Sequence, residues 1–258
     1  MATVMLDAGH GGYDNGASFE GRREKDDTLN LTLAVGNILE NRGVNVLYTR
    51  TTDIYQSPAQ KAQLANESDA DYFISIHRNS STSPNMYSGV QTLVYENSGI
   101  PAVFAENINK ELEKVGFKNI GVEERKNLAV LRRTKMPAAL VEAGFINTEA
   151  DNNIFDLKFP QVAQAIANGI IDTVSGADIE RNELNGYWIE TGLFRHYDNA
   201  KNLAKNMQAD GYNSVIVPNN EYYSVYHGVY DDYDKAEAVG KTLFGKGYET
   251  RIVQGSVK

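Results

Sequence analysis

Val4-Met5-Leu6-Asp7-Ala8-Gly9-His10-Gly11-Gly12 sets one histidine among glycines at the end of a short apolar run. The apolar run reads as a buried strand, and the glycines read as a tight loop that presents a side chain. Outward from it, the first 175 residues alternate strand-like and helix-like patterns. The pattern predicts strands over 4–6, 44–49, 72–76, 89–95 and 138–142, and helices over 28–41, 59–66, 102–115 and 159–174. In the first helix Leu31, Val35, Ile38 and Leu39 form one apolar face, and Gly43 follows as a stop signal. Such alternation predicts an α/β fold, a mostly parallel sheet flanked by helices.

Composition narrows the chemistry. The 258 residues allow one sizeable core plus a small module. A net charge of −9 argues against nucleic acid as a partner and against adhesion to anionic membranes. No apolar stretch is long enough to insert in a membrane, and no signal peptide is visible, so synthesis in the cytoplasm is expected. Without cysteine, any metal site must use histidine and carboxylates.

Two of the four histidines, His10 and His77, each close an apolar strand. Ligands gather at strand carboxyl ends in parallel sheets, so neighbouring strands would aim both imidazoles into one crevice. Glu24 opens a helix and would complete a His-Glu-His set, three ligands with an open position, as in a catalytic zinc site. Glu142 ends the last predicted strand, 138–142, where a carboxylate beside the metal takes a proton from water. Each residue also has a plainer reading. The histidines are equally read as hydrogen-bonded structural residues, Glu24 as a favourable charge at a helix N-terminus, and Glu142 as a partner of Arg132 or Arg133.

Several longer motifs occur in order: Asp7 to Gly16, Glu24-Lys25-Asp26, Thr49-Arg50, Ser75 to Ser80, and Met136 to Phe145. Together they resemble the zinc-dependent N-acetylmuramoyl-L-alanine amidases of autolysins, sporulation lysins and phage endolysins, over about residues 3–174. The resemblance implies a zinc ion held by His10, Glu24 and His77, with Glu142 as catalytic glutamate. It implies peptidoglycan as partner and substrate, cut between N-acetylmuramic acid and L-alanine of the stem peptide. Action on the bacterial cell wall follows, with a phage-type endolysin expected first and a host or sporulation autolysin second. A zinc peptidase acting within the stem peptide and a non-catalytic wall-binding protein are the rivals. Arg78 departs from the small or apolar residue usual after the second histidine. It is read either as a contact for a stem-peptide carboxylate or as the partner of a surface acid.

Composition shifts after residue 175. Residues from 187 onward hold nine of the fifteen tyrosines and the only tryptophan. They also repeat: 187–217 align with 223–253 at a constant offset of 36, with ten identities in 31 positions. Each half reads strand, helix, strand, which predicts a small α+β ferredoxin-like domain built from a βαβ repeat. The expected domains are thus 1–175, a polar linker over 176–186, and 187–258. The repeat is similar to SPOR-type peptidoglycan-binding domains, which implies glycan held on an open sheet face. Tyr187 and Trp188 are its candidate contacts; the alternative is that any given tyrosine packs against the helices, since strand alternation sends only half of them to the open face.

Overall fold

The computed structural model describes residues 2–174, 186–219, 222–230 and 232–255. The chain divides into two compact units, one around a six-stranded sheet and one around a four-stranded sheet.

In the first unit the strands are β1 (Thr3–Ala8), β4 (Asn45–Tyr48), β5 (Tyr72–Asn79), β6 (Val90–Val94), β7 (Asn119–Glu124) and β8 (Ala138–Phe145). A short hairpin, β2 (Ser18–Phe19) and β3 (Arg22–Arg23), follows the first glycine-rich loop. The sheet order is β4-β1-β5-β8-β6-β7. Its first four strands are parallel, while β6 runs against β8 and parallel to β7. The mostly parallel α/β architecture is therefore the one observed.

Helices α1 (Glu24–Asn41), α2 (Pro58–Asn66), α3 (Gly99–Val115), α4 (Ala129–Arg133), α5 (Glu149–Leu157) and α6 (Phe159–Val174) complete the unit. Side chains alternate across the sheet. Met5, Phe73 and Leu140 face Ala65 of α2 and Val130 and Leu131 of α4. Ala8 lies on the other face, against Leu29 and Leu33 of α1. Helix α1 starts four residues earlier than the apolar periodicity predicts. Its first turn carries Glu24, Asp26 and Asp27, which suit the positive end of the helix and reach polar partners. The fold also contains β7, α4 and α5, elements that the sequence pattern does not announce.

The second unit is β9 (Gly186–Phe194), α7 (Tyr197–Ala209), β10 (Val215–Asn219), β11 (Tyr222–Tyr230), α8 (Tyr233–Gly245) and β12 (Arg251–Gly255). Every element recurs at the repeat offset of 36, and the antiparallel order β10-β11-β9-β12 is ferredoxin-like. Gly186, read as the last linker residue, instead opens β9; the rest of the expected linker lies outside the described residues. Ile189 and Val225 pack with Ala200 and Met207 of α7 and with Ala236 and Leu243 of α8. Trp188, Tyr226 and Val217 cluster on the opposite face, with the Trp188 and Tyr226 rings 5.9 Å apart. Among the described residues no helix is long and apolar enough to cross a membrane.

Candidate metal centre

Strands β1 and β5 are hydrogen-bonded neighbours, with Ala8 opposite Ile76, and Gly9 N–H continues the ladder to the Ile76 carbonyl at 3.0 Å. His10 and His77 therefore emerge side by side at the same end of the sheet, their ring centroids 4.9 Å apart. Glu24 reaches them from the N-terminus of α1. Its Oε2 lies 3.1 Å from His10 Nε2 and its Oε1 lies 2.9 Å from His77 Nδ1. The donor atoms of His10, Glu24 and His77 all lie within 4.8 Å of one another, the spacing a metal ion needs. Backbone N–H groups of Ala17 and Arg78 also donate to the two Glu24 oxygens, which fixes the carboxylate plane. Burial raises the Glu24 carboxyl, but the hydrogen bonds and charges of His10 and His77 outweigh it and hold the group well below the usual carboxylate range. An ionised, pre-oriented carboxylate between two imidazoles could hold a metal ion, and two imidazoles with one carboxylate match the donor chemistry of zinc.

Glycines make room for this cluster. A Cβ on Gly9 would stand 2.6 Å from His77 Nε2, and one on Gly16 would stand 2.5 Å from both Glu24 Oε2 and His10 Cδ2. His10 itself adopts φ +59°, a left-handed conformation unfavourable for a residue with a side chain. Its surroundings over-determine that conformation. Asp14 Oδ2 accepts from His10 Nδ1 at 2.9 Å, while Asp14 Oδ1 accepts from Gly16 N–H. With Nδ1 engaged by Asp14, Nε2 is the nitrogen directed at Glu24, as in the carboxylate–histidine–metal arrangement.

Below the loop lies a bank of buried cations. Lys61 donates to the Ala8 carbonyl and pairs with Asp7 at 2.8 Å, and Asp7 also accepts from Thr49 and Ser75. Arg50 donates to the carbonyls of Ala8, Gly9 and Lys25. Lys25 donates to the Gly12 carbonyl and to Asp53. The loop keeps its shape because its carbonyls are saturated by side chains that cannot relax into solvent.

Glu142 stands directly opposite His77 in the β5–β8 register. Its Oε2 is shielded from solvent and has no hydrogen-bond partner, so it is a polar atom waiting for one. Burial pushes this carboxyl up to about 7. No ion pair joins it to Arg132 or Arg133 among the described residues.

Two candidate substrate contacts are placed elsewhere. Arg78 alternates to the face opposite His77. Its buried guanidinium donates to Asp27 and Asn152 at 2.7 Å and lies 4.0 Å over the Phe155 ring. This is the ion-pair alternative, with Asp27 as the acid, and it leaves no guanidinium for a stem peptide. Tyr187 packs among the helix-facing residues of the second unit, its ring 5.4 Å from Tyr233, because odd positions of β9 point to the helices. Trp188, one residue on, lies on the other face but is buried against Val217 and Tyr226, so its ring is not an exposed contact for glycan. Sequence reasoning did not single out Asp14, Lys61 or Lys25. The signal for Asp14 was its place four residues after His10, across a turn containing two glycines.

The chain matches the family model of N-acetylmuramoyl-L-alanine amidase over residues 4–172 and that of the SPOR domain over residues 183–252. A sporulation-specific N-acetylmuramoyl-L-alanine amidase of Bacillus subtilis is 35% identical over 223 residues, 84% of this chain and 85% of the relative. An endolysin of Bacillus phage SPP1 is 36% identical over 179 residues, 67% of this chain and 66% of the relative. The crystal structure of an N-acetylmuramoyl-L-alanine amidase from Clostridium difficile superposes with a TM-score of 0.64 at 32% identity, covering 68% of this chain and 98% of that one. The fold, the converging His-Glu-His set and these matches agree, and the chain belongs to the N-acetylmuramoyl-L-alanine amidase family and carries a C-terminal SPOR domain.

Proposed function

We propose that the first unit hydrolyses the amide between the lactyl group of N-acetylmuramic acid and L-alanine, with zinc held by His10, Glu24 and His77. The observation that carries this reading is the meeting of those three side chains beside the bare Oε2 of Glu142. When bound, zinc lowers the pKa of a coordinated water and polarises the scissile carbonyl. Glu142 moves the proton. Raised to about 7, its carboxyl is poised to take a proton from the attacking water and to return it to the departing L-alanine nitrogen near neutral pH. Asp14 orients His10, and the two Glu24 oxygens stay fixed by Ala17 and Arg78 N–H groups. No covalent intermediate forms in this reading, because the nucleophile is water and no side chain attacks the carbonyl.

The second unit holds glycan strands, in this reading, on the sheet face opposite its helices, where Trp188 and Tyr226 are themselves buried and only support that face. A sporulation-specific amidase matches over 223 residues, 84% of this chain, whereas the endolysin match spans 179, or 67%. That difference favours a bacterial lytic amidase as the reading beside a phage endolysin. Expression confined to late sporulation supports it, and expression from a phage lysis cassette overturns it.

Mass spectrometry of digested walls tests the reaction. Intact glycan plus peptides that begin with a free L-alanine amine are expected; new amines elsewhere in the stem peptide would establish the peptidase instead. Glu142→Gln should abolish turnover while zinc remains bound. Removing residues 178–258 should weaken binding to whole walls and spare soluble muropeptide hydrolysis; unchanged wall affinity contradicts the role given to the second unit.

A further inference from the structure

We propose that the stacked pair Tyr13 and Tyr55 is a sugar platform, on which a pyranose ring of the glycan lies while the adjoining lactyl amide occupies the metal centre. The proposal deepens the amidase reading and rests on it. The two rings stack at 4.1 Å between centroids with planes 27° apart. Tyr13 is 79% exposed, and Ile54 and Tyr55 beside it are exposed as well. Rings that stack on each other in solvent leave outer faces open, and an aromatic face carries the partial negative charge that suits the C–H face of a sugar.

The pair is fixed relative to the metal ligands. Gly11 and Asp14 exchange two backbone hydrogen bonds, at 3.0 and 3.1 Å, so Gly12 and Tyr13 form the tip of a two-residue turn. One leg of that turn continues into His10 and the other is Asp14, which holds the His10 ring. Tyr55 is locked to the same tip. A Cβ on Gly12 would stand 2.7 Å from Tyr55 N, and Gly12 N–H donates to Asp53 at 2.7 Å. Lys25 bridges the Gly12 carbonyl and Asp53 from below.

Charge selects the sugar over the stem peptide. The cations near the pair, Lys25 and Arg50, are buried and engaged by loop carbonyls and Asp53. The more exposed charges are the carboxylates of Asp14 and Asp53. A peptide rich in carboxylates finds no partner there, whereas an uncharged ring loses nothing.

The test uses the full chain, with Tyr13→Ala, Tyr55→Ala and Tyr13→Phe. Two soluble substrates are compared: a glycan tetrasaccharide bearing stem peptides, and a lactyl-L-alanyl peptide that lacks a pyranose. Losing one stacked ring should raise KM for the glycan substrate about three- to tenfold. The lactyl peptide should respond less, Tyr13→Phe should retain the parent KM, and zinc content should not change. An unchanged KM in both alanine variants, an equal loss on both substrates, or a Phe variant as impaired as Ala overturns the platform. A second readout needs no turnover: a peptide-free muramyl oligosaccharide should shift the ring proton signals of Tyr13 and Tyr55, and no shift overturns the proposal. A parent that shows those shifts but releases no L-alanine amine instead removes the amidase reading.

Discussion

Replacing Asp14 with alanine should weaken zinc binding at a site the substitution never touches. Asp14 Oδ2 accepts from His10 Nδ1 at 2.9 Å and so selects the nitrogen directed toward Glu24. Loss of such an outer-shell carboxylate typically costs about 10- to 100-fold in metal affinity. The Asp14 side chain is 41% exposed, so water replaces part of the lost hydrogen bond. The lower end applies, about tenfold or ~1.4 kcal/mol. The same change removes the acceptor for Gly16 N–H, which loosens the loop that carries His10. Asp14→Asn keeps a carbonyl oxygen for Nδ1–H and loses only the charge, so its loss should be roughly threefold. Competition with a chromophoric zinc chelator, with metal content measured in parallel, reads both values. Parent-like zinc affinity in Asp14→Ala would refute the claim that this carboxylate orients the ligand.

Four further outcomes are expected. Gly9→Ala must push the His77 ring aside, and a displacement near 1 Å should lower hydrolysis about 100-fold with loss of zinc; retained metal and activity would contradict the close packing. Lys61→Met strands the Asp7 carboxylate, which is 0% exposed, and should destabilise the first unit by about 3–5 kcal/mol in urea unfolding. Burial raises the Asp7 carboxyl, but the charge and hydrogen bond of Lys61, together with the hydrogen bonds of Ser75 and Thr49, outweigh it and the folded value lies below the ordinary 3.8. Its contribution is thus present above that value and lost as pH falls through the folded value, so acid unfolding should begin later in Asp7→Asn than its neutral-pH stability suggests. Arg78→Met should lower stability and leave KM for muropeptides in place; a raised KM at parent stability would restore Arg78 as a substrate contact.

Much of the site was legible because its chemistry sits at the ends of regular elements. Apolar runs ending at His10 and His77 needed only to be adjacent, and β1 and β5 are. Glu142 was legible as the one acid in a buried apolar run, although it lies inside β8 and does not end it, since the strand continues to Phe145. Strand parity also separates neighbouring candidates. Arg78 follows His77, and Tyr187 precedes Trp188, so in each pair the side chains must part to opposite faces. Other features depend on contacts distant in sequence. Asp7 to Lys61 and Asp14 to His10 are set by how a loop folds over a sheet end, which no periodicity encodes. The five-residue α4 is too short to show a helical period, and β7, Asn119–Glu124, contains a glycine and ends in two acids, so it does not read as a strand. The second unit was legible for a different reason. Its two halves repeat, and strand, helix and strand recur at one offset.

Crystals of the full chain grown with zinc, with diffraction collected on both sides of the zinc absorption edge, test the central claim most directly. One strong anomalous peak is expected about 2.0–2.2 Å from nitrogen atoms of His10 and His77 and an oxygen of Glu24, with Glu142 beside it and not ligating. A peak at any other site, or none at zinc concentrations that support wall hydrolysis, would contradict it.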